Sequence, residues 1–348
     1  MAPLLIAKVD TKKHVGKPYR STFILPVKTV QGLQTCTICG KAGVYKREYT
    51  HDCLCKECFC RSITEKTRKV IAKNGMIRYG ETVAIAVSGG KDSLSLLQVM
   101  KSLSVKHGSK LYAITIDEGV PGYREESIRL ASDFSSKLGV KHMVLSFKDL
   151  YDLGLEDALE QREGKVTSCA ICGTFRRRAL DLAAMKVGAD VVATGHNLDD
   201  FVQTFMINLF SGDIQKMKYA DPPSSSNPNF PVRRIKPFQE IYEKEIAFFA
   251  YLNDIPFQVA SCPHMNEGIR TEVRNFLTSL EAKHPGIIQM TQKSAFKITE
   301  QLNQGGNSHK MIGKCERCGS PSSGKICSVC LMLEQFKSKM KISAINRS

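Results

Sequence analysis

A glycine-rich turn between an apolar strand and a helix constrains this chain more than any other feature. The apolar run Val83–Val87 predicts a buried parallel strand, and the periodicity of Leu94–Ser104 predicts a helix. Between them lies Ser88-Gly-Gly-Lys-Asp-Ser93. Two glycines let the backbone approach a ligand closely, and the free N–H groups at a helix start favour an anion. The turn therefore predicts a phosphate-binding loop, but not a Walker loop, which has four residues between its glycines.

The segments after this turn alternate between predicted strands and helices. Strands are predicted over Leu111–Ile116, Lys141–Ser146 and Asp190–Thr194, and helices over Tyr123–Leu138, Phe175–Val187, Tyr242–Leu252, Ile269–Ala282 and Ile287–Gln304, with a loop over residues 221–231. This order predicts an α/β fold with a doubly wound parallel sheet. Ligands of such sheets bind at the carboxyl ends of the strands. We therefore expect residues 88–93, 117–119 and 194–200 to form one site.

The charge balance favours a polyanionic partner. Lys and Arg outnumber Asp and Glu by 50 to 34, which gives a formal net charge of +16. Such a surface fits nucleic acid, although a merely soluble basic protein has the same balance. Residues 1–33 are expected to be an irregular basic extension, and a mitochondrial transit role for them stays open. The apolar run near the N-terminus is too short for a signal sequence, and no other apolar run is long enough to span a membrane, so neither a signal peptide nor membrane association is expected.

The C-terminal cysteines have the spacing of a metal site. Most of the 13 cysteines group in pairs spaced by two, which in a long chain without a signal peptide favours metal ligands in a reducing compartment. Cys315 and Cys318 are followed closely by Cys327 and Cys330. Two such pairs suit tetrahedral Zn²⁺ bound by four thiolates. We therefore predict a zinc ribbon over residues 310–335, with redox dithiols as the alternative.

A second zinc module is predicted over residues 34–61. Six cysteines fall in this segment, and the extra Cys53 and Cys60 leave open which of them complete the ligand set. Two pairs preserve the spacing of two residues between cysteines, and we take these as the ligands. They are Cys36, Cys39, Cys55 and Cys58.

A third group of cysteines lies outside these modules. Cys169 and Cys172 open a predicted helix, and Cys262 is the one other cysteine of the central region. Three thiolates suit a [4Fe–4S] cluster with one open iron, or a persulfide-carrying pair with a helper. A buried core cysteine at position 262, or zinc at Cys169 and Cys172 with another ligand, are the alternatives. The spacing alone does not decide among these.

In combination, the motifs resemble the tRNA 2-thiolation enzymes of the ATP-pyrophosphatase (PP-loop) superfamily, in particular the cytoplasmic tRNA 2-thiolation protein 1 family. The likeness covers about residues 34–335. It rests on the glycine-rich turn, Asp117–Arg124, Cys169–Arg177, Thr194–Asp200, Cys262-Pro263 and the two terminal cysteine modules. It implies a PP-loop catalytic domain of the adenine nucleotide alpha hydrolase-like fold over residues 62–304. It also implies ATP-dependent synthesis of 2-thiouridine at the wobble position of cytosolic tRNAs, by adenylation of the uridine C2 oxygen and displacement of AMP by sulfide.

The resemblance also implies roles for single residues. The predicted ATP-binding residues are Ala86, Ser88, Gly89, Gly90, Asp92, Ser93, Ile116 and Gly195, with Mg²⁺ neutralising the pyrophosphate. The predicted catalytic residues are Cys169, Cys172 and Cys262, which would hold a [4Fe–4S] cluster that presents sulfide, Asp200 for acid/base work, and Lys91 and Arg176 for charge stabilisation. Asp200 has a plainer explanation as a carboxylate favoured at a helix start.

The family further implies partners and a compartment. It implies a tRNA substrate, a second thiolation subunit, a ubiquitin-related modifier thiocarboxylate as sulfur donor, and a cytoplasmic location. A tRNA 2-thiocytidine synthetase, a non-catalytic zinc and RNA-binding adaptor, and an ammonia-using synthetase are the alternatives. The basic runs 176–178 and 233–236 are expected to be RNA contacts or solvated faces. Residues 336–348 are expected to be a basic tail.

Overall fold

A computed structural model of the chain describes residues 34–162, 164, 166–218, 230–265, 268–304 and 312–345. The predicted basic extension 1–33 and most of the predicted loop 221–231 lie outside the described residues.

The described chain contains nine short strands and twelve helices. The strands are β1 Tyr45–Lys46, β2 Cys53–Leu54, β3 Thr82–Ala86, β4 Lys110–Asp117, β5 Lys141–Ser146, β6 Val191–Thr194, β7 Arg233–Ile235, β8 Gly313–Lys314 and β9 Pro321–Ser322. The helices are α1 Lys56–Lys73, α2 Lys91–His107, α3 Arg124–Lys137, α4 Phe147–Tyr151, α5 Leu155–Glu160, α6 Ser168–Lys186, α7 Leu198–Phe210, α8 Ile214–Lys218, α9 Glu243–Leu252, α10 Arg270–Lys283, α11 Ile287–Gln304 and α12 Ser328–Ile345.

Five strands form the central sheet, in the order β5-β4-β3-β6-β7. All four neighbouring pairs are parallel, so the predicted parallel sheet is confirmed. The fifth strand, β7, was not predicted, because its first two residues are Arg233 and Arg234 and the segment was therefore interpreted as a basic run. Both arginines are engaged in ion pairs, Arg233 with Glu81 and Arg234 with Asp181 at 2.7 Å. They are strand residues rather than a free basic face.

Alternate residues of the central strands point into two different cores. Val83 and Ile85 of β3 pack with helices α1, α2, α3 and α9 on one face of the sheet. Ala84 faces the other layer, where α4, α5 and α6 supply Phe147, Ala158 and Phe175. This period of two, with both faces apolar, is what a parallel sheet covered by helices requires. Helices α7, α10 and α11 enclose a third, smaller core beside the carboxyl ends of the strands.

The two cysteine modules are continuous with the catalytic domain. Helix α1 begins at Lys56, among the N-terminal cysteines, and its Phe59 is fully buried in the sheet-facing core. Helix α12 begins at Ser328, within the second C-terminal cysteine pair, and its Phe336 packs on Phe175 of α6 with ring centroids 6.4 Å apart. The predicted divisions at 61/62 and 335/336 therefore fall inside helices. The first ten residues of the predicted tail belong to α12.

A buried carboxylate joins the N-terminal module to α9. Glu245 has no exposed side-chain surface, and Arg47 donates to it at 2.6 Å from Nε. The Tyr49 hydroxyl donates to the same oxygen at 3.0 Å. These contacts satisfy a charge that would otherwise be costly to bury.

Among the described helices, none has the length and apolar character needed to cross a membrane.

Candidate active site

The glycine-rich turn between β3 and α2 is held in shape by its own hydrogen bonds. The Ser88 N–H donates to Ser93 Oγ at 3.0 Å, and the Ser93 hydroxyl donates to the Gly90 carbonyl at 2.9 Å. Gly89 has a φ of +80°, and a Cβ there would fall on the Ser127 carbonyl. Gly90 is the N-cap of α2, so the first N–H groups of a 17-residue helix face the turn. The shape of the turn suits the anion that the sequence predicts for it.

A second loop lies against the start of α2. Gly195 follows β6, and a Cβ there would lie 3.0 Å from the backbone of Asp92 and Ser93. The loop approaches the turn this closely because residue 195 has no side chain. Predicted nucleotide residues from β3, β4 and β6 thus meet at one edge of the sheet.

A cavity of about 340 Å³ opens at this edge, beside the turn. Its walls include Ala86 and Ser88 from the end of β3, Ile116 from β4, and all three central cysteines. The other residues named for the nucleotide, Gly89, Gly90, Asp92, Ser93 and Gly195, form or flank the turn. The structure therefore brings the predicted phosphate loop and the predicted sulfur site to one space.

The three cysteines reach the cavity from two elements. Cys169 is exposed and Cys172 is buried in the first turns of α6, which Thr167 caps, while Cys262 lies in the loop after α9. Burial raises the pKa of Cys172 to about 11 and also raises that of Cys262, and Arg176 opposes the shift at Cys172. The thiol of Cys169 donates to the His264 carbonyl at 3.8 Å.

The arrangement fits an iron–sulfur cluster better than a single ion. Within the described ranges, two groups bring three or more ligand atoms within 4.8 Å of one another, and neither contains these sulfurs. The sulfurs nevertheless line one cavity of about 340 Å³. Three thiols around such a space suit a bulky cluster that takes three protein ligands.

A buried carboxylate of the predicted segment 117–119, to which the sequence analysis gave no role, connects the turn to the cysteines. Glu118 lies at the carboxyl end of β4 with 4% of its side chain exposed, between Arg124 Nε at 2.8 Å and Arg176 Nε at 2.6 Å. Arg124 donates to the Ser88 carbonyl at 3.3 Å. Arg176 donates from Nη2 to Cys172 Sγ at 3.1 Å. The signal in the sequence was the position of Glu118 two residues after the predicted strand Leu111–Ile116.

Lys91, which was predicted to stabilise charge on the substrate, is held by two carboxylates of the protein. Its ammonium lies 2.9 Å from Asp92 Oδ2 and 2.7 Å from Glu243 Oε1, and it does not line the cavity. Although burial disfavours its charge, these carboxylates raise the pKa of Lys91. Burial also raises the pKa of Asp92 to about 6, against the opposing effect of Lys91. Lys91 thus holds the start of α2 against α9.

The two acidic residues that begin α7 are engaged with backbone groups. Asp200 forms a reciprocal cap with Asn197, in which each side chain accepts from the other's N–H, at 3.2 and 3.0 Å. Asp199 accepts from the Glu243 N–H at 2.7 Å, and burial raises its pKa to about 7. The plainer explanation of Asp200 as a helix-start carboxylate is thus present in the structure, beside its predicted catalytic role.

The terminal cysteines form two compact groups. In each, four sulfurs lie within 4.8 Å of one another, and the members are Cys36, Cys39, Cys55 and Cys58 in one and Cys315, Cys318, Cys327 and Cys330 in the other. The Cys327 N–H donates to Cys315 Sγ at 3.2 Å and is the main cause that lowers the pKa of Cys315 to about 6. Cys53 and Cys60 are outside the first group and contact Gln34 and Asn253 instead. Both groups are able to hold a metal ion.

A parallel sheet with a glycine-rich anion turn at its carboxyl edge defines the class of the molecule. The family model of the PP-loop domain matches residues 61–281, so the chain is a PP-loop protein.

More specific relatives define the family. The cytoplasmic tRNA 2-thiolation protein 1 of Candida glabrata is 35% identical, covering 86% of each chain. The tRNA 2-thiolation protein NcsA of Haloferax volcanii is 32% identical, covering 87% of this chain and 99% of that protein. The structure of the U34-tRNA thiolase NcsA from Methanococcus maripaludis with its [4Fe-4S] cluster matches with a TM-score of 0.75 and 30% identity, covering 86% of this chain and 96% of that one. The chain belongs to the tRNA 2-thiolation protein family, as predicted.

Proposed function

We propose that this chain is an ATP-dependent sulfurtransferase that makes 2-thiouridine at the wobble position of tRNA. The observation that carries the proposal is that Ser88, the first residue of the anion turn, and the three cysteines line one cavity. The names of its relatives support tRNA as the substrate and the cytoplasm as the compartment. An adaptor without catalysis would have no need for these two features in one space.

The reaction begins at the turn. The phosphates of ATP bind the N-terminus of α2, with Ile116 near the adenine and Gly195 beneath the nucleotide, and Mg²⁺ would neutralise the pyrophosphate. The uridine C2 oxygen attacks the α-phosphate, pyrophosphate leaves, and the C2 oxygen becomes a good leaving group. Sulfide then attacks C2, the bond between C2 and the adenylated oxygen breaks, AMP leaves with that oxygen, and the proton of the sulfide is released. Arg176, half exposed at the cavity, stabilises the negative charge that develops.

Cys169, Cys172 and Cys262 are the proposed ligands of a [4Fe–4S] cluster. A cluster with three protein ligands leaves one iron free to bind sulfide. Glu118 orients Arg176 toward Cys172, and the His264 carbonyl and N–H lie against the other two cysteines. Asp200 is proposed to transfer a proton during the reaction, in addition to capping α7.

The two terminal groups of four cysteines are proposed to be structural zinc sites. We expect two zinc ions per chain by elemental analysis, one lost in Cys36→Ser and the other in Cys315→Ser. Iron instead of zinc at these positions would contradict this part of the proposal. A second thiolation subunit and a ubiquitin-related modifier thiocarboxylate are the proposed partner and sulfur donor, inferred from the family.

The proposal is tested by incubating the purified protein anaerobically with tRNA, ATP and sulfide, and analysing nucleosides by mass spectrometry. We expect 2-thiouridine, with one AMP and one pyrophosphate released per sulfur incorporated. Formation of 2-thiocytidine would show that the substrate base is cytidine and not uridine. A partner protein is also added to the Gly89→Ala variant. If thiolation is then as fast as with the wild type, the partner carries out the reaction and this chain is an adaptor.

A further inference from the structure

The carboxyl end of β7 carries a lysine that no step above uses. Lys236 directly follows Ile235, which pairs with Ala193 of β6. Lys236 is therefore next to the end of β6, where the Thr194 hydroxyl donates to the Ile235 carbonyl at 3.4 Å. The next residue of that loop, Gly195, lies against the backbone at the start of α2. Lys236 thus stands at the same edge of the sheet as the anion turn.

Within the described residues, Lys236 has no ion pair, unlike most cations of this region. The preceding arginines are paired with Glu81 and Asp181, and Lys91 is held by two carboxylates. Within the ranges that the structure describes, no carboxylate lies within 4.0 Å of the Lys236 ammonium. Asp200 acts on it from a longer distance.

The surroundings of Lys236 make its charged form energetically unfavourable unless an anion binds beside it. The side chain is partly buried, and burial lowers its pKa. A desolvated ammonium without a counter-ion is unfavourable, so a bound anion at this position would stabilise it.

Further positive charge lies nearby. Lys236, Arg270 and Arg176 all lie close enough to His196 to influence its titration, and Asp200 is the carboxylate that opposes them. Arg270 donates to the neutral Gln203 and Thr204 at 3.3 and 3.1 Å. Three cations around one carboxylate favour a ligand with several negative charges.

We propose that Lys236 binds the phosphate chain of the nucleotide, from the side of the turn opposite to Lys91. The inference rests on the proposed use of ATP. The nucleotide is favoured over an RNA phosphate because Gly195 brings this loop into contact with the α2 N-terminus, where the phosphates bind. Lys236 therefore supplies the charge stabilisation that the sequence analysis assigned to Lys91.

The test compares ligand affinities in full-length, iron-free protein by isothermal titration calorimetry. The probes are Mg·ATP, adenosine and unmodified tRNA, and the variants are Lys236→Met, Lys236→Gln and Lys236→Arg. We expect Lys236→Met and Lys236→Gln to weaken ATP binding about 10- to 100-fold, the effect of losing one charge-assisted contact. Adenosine affinity should be unchanged, and Lys236→Arg should lie near the wild type. The control is Lys244→Met, because Lys244 is exposed and pairs with Glu281 at 3.7 Å.

Each outcome is decisive. ATP affinity within twofold of the wild type in both neutral variants would overturn the inference, as would an equal loss of adenosine binding, which indicates a collapsed pocket. Loss of tRNA affinity with unchanged ATP affinity would assign the lysine to RNA and also overturn it. A wild type that binds no ATP would instead overturn the proposed function, which separates the two failures.

Discussion

The guanidinium of Arg176 lies on the sulfur of Cys172, with Nη2 3.1 Å from Sγ. Glu118 holds the same guanidinium from the other side, at 2.6 Å from Nε, and also holds Arg124, which contacts the anion turn. The positions of the sulfur site and the nucleotide loop are therefore set by one buried carboxylate. This relationship determines the first prediction.

Replacing Arg176 by Gln should lower the rate of tRNA thiolation about 100-fold, because a preorganised cation at the developing charge is removed. Rates are measured under single-turnover conditions at saturating tRNA. Arg177→Gln is the matched control, since Arg177 is the next residue of α6, is exposed, and donates to Thr174 at 3.4 Å. Equal rates for Arg176→Gln and the control would show that the contact with Cys172 has no catalytic role.

Replacing Gly89 by Ala should abolish measurable ATP binding while the fold is retained. The substitution combines a φ of +80° with a Cβ that meets the Ser127 carbonyl, so the turn must move. Gly139→Ala is the control, because Gly139 has a φ of +62° with no atom within 4 Å of an added Cβ. Both variants carry similar backbone strain, and only the first alters the turn. Comparable ATP affinity in the two would contradict the assignment of the nucleotide loop.

Asp199 should make the stability of the protein depend on pH. Its pKa is raised from 3.8 to about 7, so the folded state holds the proton more tightly than the unfolded state. Below pH 3.8 the group is protonated in both states and costs nothing. As pH rises from about 4 to 7, only the unfolded chain releases the proton readily, and stability falls.

The variant Asp199→Asn keeps an oxygen to accept the Glu243 N–H and removes this penalty. Urea unfolding should show that its stability relative to the wild type rises by about 2 kcal/mol between pH 5 and pH 8, after allowing for partial solvent access. A difference that is the same at both pH values would show that Asp199 is ionised normally.

Phe336 should anchor the C-terminal cysteine group to the catalytic domain. It is 3% exposed and lies in the core that faces α6, so Phe336→Ala should lower the free energy of unfolding by about 3 kcal/mol. Leu331→Ala, on the same helix but at a residue 50% exposed, should change it by less than about 0.5 kcal/mol. If Phe336→Ala is equally mild, the helix is not docked as described.

The fold could be predicted where the pattern of apolar residues and the turn-forming residues beside it indicated the same element. Strand β5 was predicted with its observed bounds, and β3 and β4 were predicted within one residue, because their apolar runs end at glycine, serine or acidic turns. Strand β7 was missed because it is three residues long and two are arginines. Its charges are satisfied by Glu81 and Asp181, residues far away in sequence, and such pairing is not visible without the fold.

The site could be predicted as a set of motifs but not as a network. Parallel-strand topology placed the turn, Ile116 and Gly195 at one edge, as expected. The sequence did not indicate that Lys91 is held by Glu243, which lies 152 residues away, or that Glu118 bridges two arginines. The predicted module boundaries fall inside helices for a related reason, since cysteine spacing does not show that α1 and α12 run from the cysteine groups into the core.

The central claim is that the three cysteines hold a cluster that serves ATP-dependent thiolation. The most direct test is anaerobic purification followed by iron and sulfide quantification, alongside the tRNA thiolation assay, in the wild type, Cys262→Ala and the control Cys60→Ala. We predict about four irons per chain in the wild type and the control, with iron and activity lost together in Cys262→Ala. A wild type that thiolates tRNA without iron would contradict the account and leave transfer through a cysteine persulfide.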